Sequence, residues 1–245
     1  MAARPSAHAS WASTATTTEQ PLPPAVRLGN LGVRLGLALL ADRIEVEGAE
    51  RLPDEAGVIV ASNHLSILDP PLITVSVARL VGRQVRYMAK AEAFEMPVVG
   101  SILRAYGGFG VRRGRADREA YRAAQDVLAS GAWLGLAPEG TRSRTGHLGE
   151  PKPGVALLAV RSGATVLPVG ISGSDRAWPV GARLPRPGSR ITIRFGTPYR
   201  PGAGDGDAGT TAVTNDRRAT LEAQSDELMR RIAALVDPRY RGRFG

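Results

Sequence analysis

The chain is predicted to fold as an α/β domain, a mixed and partly parallel sheet flanked by helices. Two observations predict this. Short apolar runs of strand length recur along the chain, and segments of helical spacing separate them. Residues 57–62 (GVIVAS) show the first pattern, that of a buried strand. Residues 116–130 show the second, with Ala120, Ala124, Val127 and Leu128 at helical spacing and Gly131 as a C-terminal stop.

Residues 1–25 are rich in Ala, Ser, Thr and Pro and lack the continuous apolar run of a secretory signal, so they read as a disordered leader. Residues 26–41 read as an amphipathic helix bearing Gly29, Gly32 and Gly36. It either packs on the core or lies in a membrane interface, with Arg27, Arg34 and Arg43 near headgroups. The longest apolar stretch, 28–41, is 14 residues long and contains Arg34. A spanning helix needs roughly 20 apolar residues.

Strands follow at 43–47, 57–62, 84–89, 109–112, 133–137, 165–171 and 190–196. Helices are expected from Pro70 to about Leu80, over 97–103, over 116–130 and over 154–162. Residues 201–214 (PGAGDGDAGTTAVT) read as a linker. An amphipathic helix runs from about Asp216 to Val236 with Asn215 as N-cap, and a mobile basic tail, RYRGRFG, closes the chain. The catalytic domain thus spans 26–200 and the C-terminal helix and tail 215–245.

The 245 residues suit one domain plus tails, and a hydrophobic fraction of 43% can build a core. The net charge of +9 points to an anionic partner. It is concentrated in residues 79–200, where 20 Lys and Arg face 8 Asp and Glu; this favours a basic surface or cleft over a basic tail. With no cysteine, disulfides, thiolate metal sites and a cysteine nucleophile are excluded. Three histidines, His8, His64 and His147, make a zinc site a poor reading. Aromatic content of 5% and the lack of a binding motif argue against a nucleic-acid partner.

Three strand-end loops carry candidate chemistry. The first reads Asn63-His64-Leu65-Ser66-Ile67-Leu68-Asp69-Pro70. A loop of five residues can return the Asp69 carboxylate to the His64 imidazole, where it would fix the tautomer and stabilise the imidazolium formed on proton uptake. Alternatively, Asp69 is an ordinary N-cap with Pro70 at N1. The second is the glycine-flanked basic run 107–115 (GGFGVRRGR), whose guanidinium forks match phosphate oxygens. The third is 138–144 (PEGTRSR), with Glu139 and Arg142 as a charged pair at a strand end and Lys152 and Gly154 at the next helix start. Each of these two also fits a solvated surface loop. Gly204-x-Gly206-x-x-Gly209 has no βαβ context and reads as linker, and GISGS at 170–174 departs from the G-x-S-x-G nucleophile elbow.

In this order the loops resemble the glycerolipid acyltransferase family, which includes 1-acyl-glycerol-3-phosphate acyltransferases. NHLSILDP matches its N-H-x4-D block at Asn63, His64 and Asp69; GGFGVRR matches the second block at Gly107 and Arg113. PEGTRS matches the third at 138–142, the run 166–169 (VLPV) the fourth, and Lys152-Pro153-Gly154 the K-x-G that trails the third. The likeness covers about 44–200, with its blocks within 63–169. One departure is Arg112, where the family often has an acidic residue; it leaves the acceptor less determined than the reaction.

The resemblance implies His64 as general base, Asp69 as its partner, and Arg113, Glu139, Gly140, Thr141, Arg142 and Lys152 as the binding site for the glycerol phosphate. It implies no metal and no cofactor beyond the acyl-CoA or acyl carrier protein co-substrate. The expected partners are a phosphate-bearing lipid acceptor, the thioester donor and a membrane surface, with the chain peripheral or monotopic on the cytoplasmic face of the cell membrane. The rival readings are acyl transfer to another lysolipid or an aminolipid, a basic nucleic-acid-binding protein, and a non-catalytic lipid-binding protein.

Overall fold

A computed structural model describes residues 24–96, 100, 103, 104, 108–111, 116–202 and 214–245. The strands are β1 (Ala41–Glu47), β2 (Ile59–Ser62), β3 (Val85–Lys90), β4 (Phe109–Val111), β5 (Trp133–Leu136), β6 (Val166–Ser172) and β7 (Ser189–Phe195). The helices are α1 (Pro24–Leu40), α2 (Asp69–Val81), α3 (Ala91–Glu95), α4 (Ala116–Ala129), α5 (Gly154–Ser162), α6 (Ser174–Ala177) and α7 (Thr214–Ala233). The strands form one sheet in the order β1-β7-β6-β2-β5-β3-β4. All neighbours run parallel except β6 and β7. The C-terminal ends of β2, β3, β4, β5 and β6 therefore share one edge, the place where loops in such sheets collect ligands.

Two apolar layers hold the sheet. Val58 and Val60 face a cluster with Leu37 of α1, Leu72, Ile73 and Val77 of α2, and Ala177 of α6. Ile59 and Ala61, one residue out of phase, face Val127 and Leu128 of α4, Leu158 of α5, and Leu228 and Ile232 of α7. This period of two explains why β2 reads as continuously apolar, because both its faces are covered. Gly135 on β5 has a specific duty: a Cβ there would strike the Tyr87 ring lying across it from β3.

Several boundaries differ from the sequence expectation. The first strand begins at Ala41, directly after α1, because Ala41 already pairs with Ser189 of β7. Expected strand residues 57 and 58 precede β2; Gly57 sits at φ 70 in a turn where its N–H donates to the Gly131 carbonyl. The short α3 and α6 had no expected counterpart. Most of the expected 97–103 helix, the leader up to residue 23, and linker residues 203–213 with the Gly204-x-Gly206-x-x-Gly209 run lie outside the described residues.

The tail is not the mobile segment expected. Two 3-10 turns, Pro238–Tyr240 and Gly242–Phe244, pack it against the domain. The buried Tyr240 hydroxyl donates to Asp175 at 2.6 Å and accepts from the Gly173 N–H at 2.9 Å, while Arg243 pairs with Glu150 and Asp226. A tyrosine and a phenylalanine among the arginines supply the apolar surface that a solvated tail would lack.

Candidate active site

β2 delivers the first loop to the shared edge. Asn63, fully buried, grips β6 there: its side-chain N–H donates to the Ile171 carbonyl at 2.9 Å, and its carbonyl accepts the Ile171 N–H at 2.8 Å. An asparagine mimics a peptide unit in this exchange, so the ladder between β2 and β6 continues past the last paired residue.

The next residue is His64. Its Nδ1 lies 2.9 Å from Asp69 Oδ2, and the same oxygen accepts the Leu65 N–H at 2.6 Å and the Ser66 N–H at 2.7 Å. Asp69 does not cap α2, whose start has no side-chain cap. Its carboxylate instead turns back and closes the loop around the imidazole. The carboxylate is buried, while the His64 side chain keeps 23% of its surface exposed. With Nδ1–H donated to Asp69, the proton-free Nε2 is the basic nitrogen. Asp69 Oδ1 and the Tyr87 hydroxyl are both buried without a partner among the described residues. Burial, and secondarily the Asp69 charge, pushes the Tyr87 phenol well above its ordinary range.

The third loop, after β5, meets the first. The Ser143 N–H donates to the His64 carbonyl at 2.8 Å. Glu139 is buried and its Oε1 accepts the Gly149 N–H at 2.9 Å, while Oε2 accepts no well-aligned hydrogen bond from the described residues. Burial raises the Glu139 pKa and the Asp69 charge adds to the rise; the Gly149 and His64 amides and the His64 ring pull it back. The sequence paired Glu139 with Arg142. In the structure Glu139 turns inward toward His64 and Asp69, and Arg142 stands exposed at the surface with Thr141.

Gly140 adopts φ 68, and a Cβ on it would meet the Lys152 side chain at 3.0–3.2 Å. The Lys152 stem therefore runs over the Gly140 backbone, held at its root by its own N–H donating to the Pro138 carbonyl at 2.8 Å. The K-x-G segment and the third block thus form one surface. Gly107, Arg112, Arg113 and Arg115 lie outside the described residues; β4, which precedes the three arginines, ends at Val111 on the same sheet edge. Sequence reasoning missed two pins, the Ser143–His64 backbone bond and the Ser66 hydroxyl, which donates to the Trp178 carbonyl at 2.8 Å. Both rest on contacts between distant segments, which leave no local sequence signal.

The family model for Acyltransferase matches residues 43–172, more than half the chain. A 1-acyl-sn-glycerol-3-phosphate acyltransferase of Borreliella burgdorferi is 31% identical over 140 residues, 56% of this chain and 54% of that protein. A chloroplastic 1-acyl-sn-glycerol-3-phosphate acyltransferase of Arabidopsis thaliana is 29% identical over 143 residues, 57% of this chain and 39% of that protein. The chain thus spans between about two fifths and half the length of these curated relatives. The solved 1-acyl-sn-glycerophosphate acyltransferase PlsC of Thermotoga maritima superposes with a TM-score of 0.60 at 27% identity, over 83% of this chain and 78% of that one. Sequence blocks, fold and family match agree, and the chain belongs to the glycerolipid acyltransferase family.

Proposed function

We propose that this protein transfers a fatty acyl group from acyl-CoA or acyl carrier protein to the free hydroxyl of 1-acyl-sn-glycerol 3-phosphate, giving phosphatidic acid. The observation that carries this reading is the buried Asp69 carboxylate holding the His64 ring and two loop amides at the sheet edge, beside the third block. His64 Nε2 takes the acceptor hydroxyl proton as that oxygen attacks the thioester carbonyl. The carbon–oxygen bond forms, the tetrahedral intermediate expels the thiolate, and the imidazolium returns its proton to sulfur. Asp69 orients the ring and offsets its transient charge, and no acyl-enzyme is needed.

Arg113, Arg142 and Lys152 supply the cations for the glycerol phosphate, with Gly140 and Thr141 presenting backbone and hydroxyl beside them. Glu139 does not meet the phosphate. Its buried Oε2, which accepts no well-aligned hydrogen bond from the described residues, is suited to accept a glycerol hydroxyl. No helix among the described residues is long and apolar enough to cross a membrane. The exposed Leu28, Leu31 and Leu35 make an apolar stripe on α1, which supports a peripheral or monotopic seat on a membrane; the proposed seat is the cytoplasmic face of the cell membrane.

The test is acylation of lysophosphatidate by purified protein, with a panel of other lysolipids and aminolipids as competitors. His64→Ala should lower turnover by roughly 10²–10⁴-fold with the fold intact. Near-wild-type turnover in that variant would remove the assignment. Arg113→Ala should raise KM for the phosphate acceptor, and an unchanged KM would remove Arg113 from the site.

A further inference from the structure

We propose that the turn at 178–188, together with Ile67, is a second membrane contact that docks the mouth of the active site onto an anionic bilayer. The proposal rests on the reading that the acceptor is a bilayer lipid. The segment reads WPVGARLPRPG and connects α6 to β7 at the edge where His64 emerges. Leu184 is 77% exposed, Val180 37%, and Ile67, three residues from His64, 54%.

These apolar tips stand on a fixed base. The Trp178 indole N–H donates to the Ala182 carbonyl at 3.0 Å, the Ala182 N–H to Pro179 at 3.1 Å, and the Arg186 N–H to Ala177 at 2.7 Å. The Ser66 hydroxyl ties the turn to the histidine loop through the Trp178 carbonyl. Trp178 also packs on the core cluster that holds Leu37 of α1, Leu68 of the catalytic loop and Leu72 of α2, so the turn, α1 and the end of that loop meet on one side of the sheet. A self-bonded turn loses little freedom on insertion, unlike a floppy loop that must be ordered first.

Charge selects the occupant. Arg176, Arg183 and Arg186 are exposed, and residues 176–188 hold no acidic side chain. Exposed aliphatic side chains flanked by arginines match the boundary between acyl chains and anionic headgroups. Docked this way, the histidine faces the surface from which a lysolipid headgroup would enter.

The test uses the full chain and vesicles of phosphatidylcholine with or without phosphatidylglycerol. Val180→Ser combined with Leu184→Ser should weaken vesicle partition by about tenfold or more. Its rate on long-chain lysophosphatidate presented in vesicles should fall in step, while its rate on a short-chain, monomeric lysophosphatidate stays at the wild-type level. Arg183→Gln combined with Arg186→Gln should flatten the dependence of partition on phosphatidylglycerol and on salt. Wild-type partition in the Val180/Leu184 variant overturns the proposal. So does a defect seen only with a carrier-protein donor, which would assign the tip to donor docking. If the wild-type protein acylates lysophosphatidate in neither form, the acceptor reading falls, and the partition measurement still decides the membrane contact by itself.

Discussion

Replacing Asp69 by asparagine separates the charge of the site from its shape. One carboxylate oxygen accepts three N–H groups, from the His64 ring and the Leu65 and Ser66 amides. An asparagine carbonyl can keep the two amide bonds, so the loop and its thermal stability should largely survive. What disappears is the negative charge facing the imidazolium. Charge centres about 4 Å apart at an effective dielectric of about 20 interact by about 4 kcal/mol. If roughly half that charge has developed in the transition state, the loss is about 2 kcal/mol, or about 30-fold in rate. Weaker control of the ring tautomer adds to this, so turnover should fall by roughly 10²–10³-fold. Thiol release from acyl-CoA at saturating lysophosphatidate measures it, with melting temperature recorded alongside. A folded variant within threefold of wild-type turnover would refute the pairing as the source of catalysis. Asp69→Ala should in addition unfold the loop, because the two amides lose their acceptor inside the core.

Other sites give independent tests. Asn63→Ala leaves the Ile171 N–H and carbonyl without their side-chain partners, at a cost of about 2–4 kcal/mol; a melting point within about 2 °C of wild type would show that water replaces the amide. Burial raises the Glu139 pKa, so the folded chain holds that proton more tightly than the unfolded chain. The stabilising contribution of neutral Glu139 is complete below the unfolded value of about 4.3 and is lost as pH rises through the folded value. Glutamine stays neutral, so the melting difference of Glu139→Gln from wild type should move in the variant's favour with rising pH, and a difference flat from acid to neutral pH would refute the burial argument. Tyr87→Phe removes a buried hydroxyl that has no partner among the described residues. It should leave stability unchanged or raise it by up to about 1–2 kcal/mol, whereas destabilisation by more than about 1 kcal/mol would reveal a hydrogen bond to that oxygen.

The α/β class and the histidine–aspartate pair were legible in the sequence because both are written in short-range terms. Strand and helix periods are local, and a five-residue loop limits how far Asp69 can stray from His64. The dual reading of Asp69 was not resolvable at that level: an aspartate before Pro70 fits a helix cap as well as a loop closure. The fold decides between them by burying the carboxylate against Leu65 and Ser66. Likewise, charge and spacing suggested a Glu139–Arg142 pair, and burial beside Gly149 turned the carboxylate the other way. The tail was misread because composition alone does not reveal that Tyr240 finds Asp175 and Gly173.

What the sequence determined by itself was therefore the seven strands, the longer helices and the nearness of His64 to Asp69, since periodicity and loop length act within a few residues. Tertiary structure alone decided the strand order, the convergence of the 63–69, 138–152 and 178–188 segments at one sheet edge, and the direction of each buried polar side chain. Those outcomes depend on which distant surfaces exclude water together, and pairing between residues more than a hundred positions apart, such as Asn63 with Ile171, leaves no trace in either local segment.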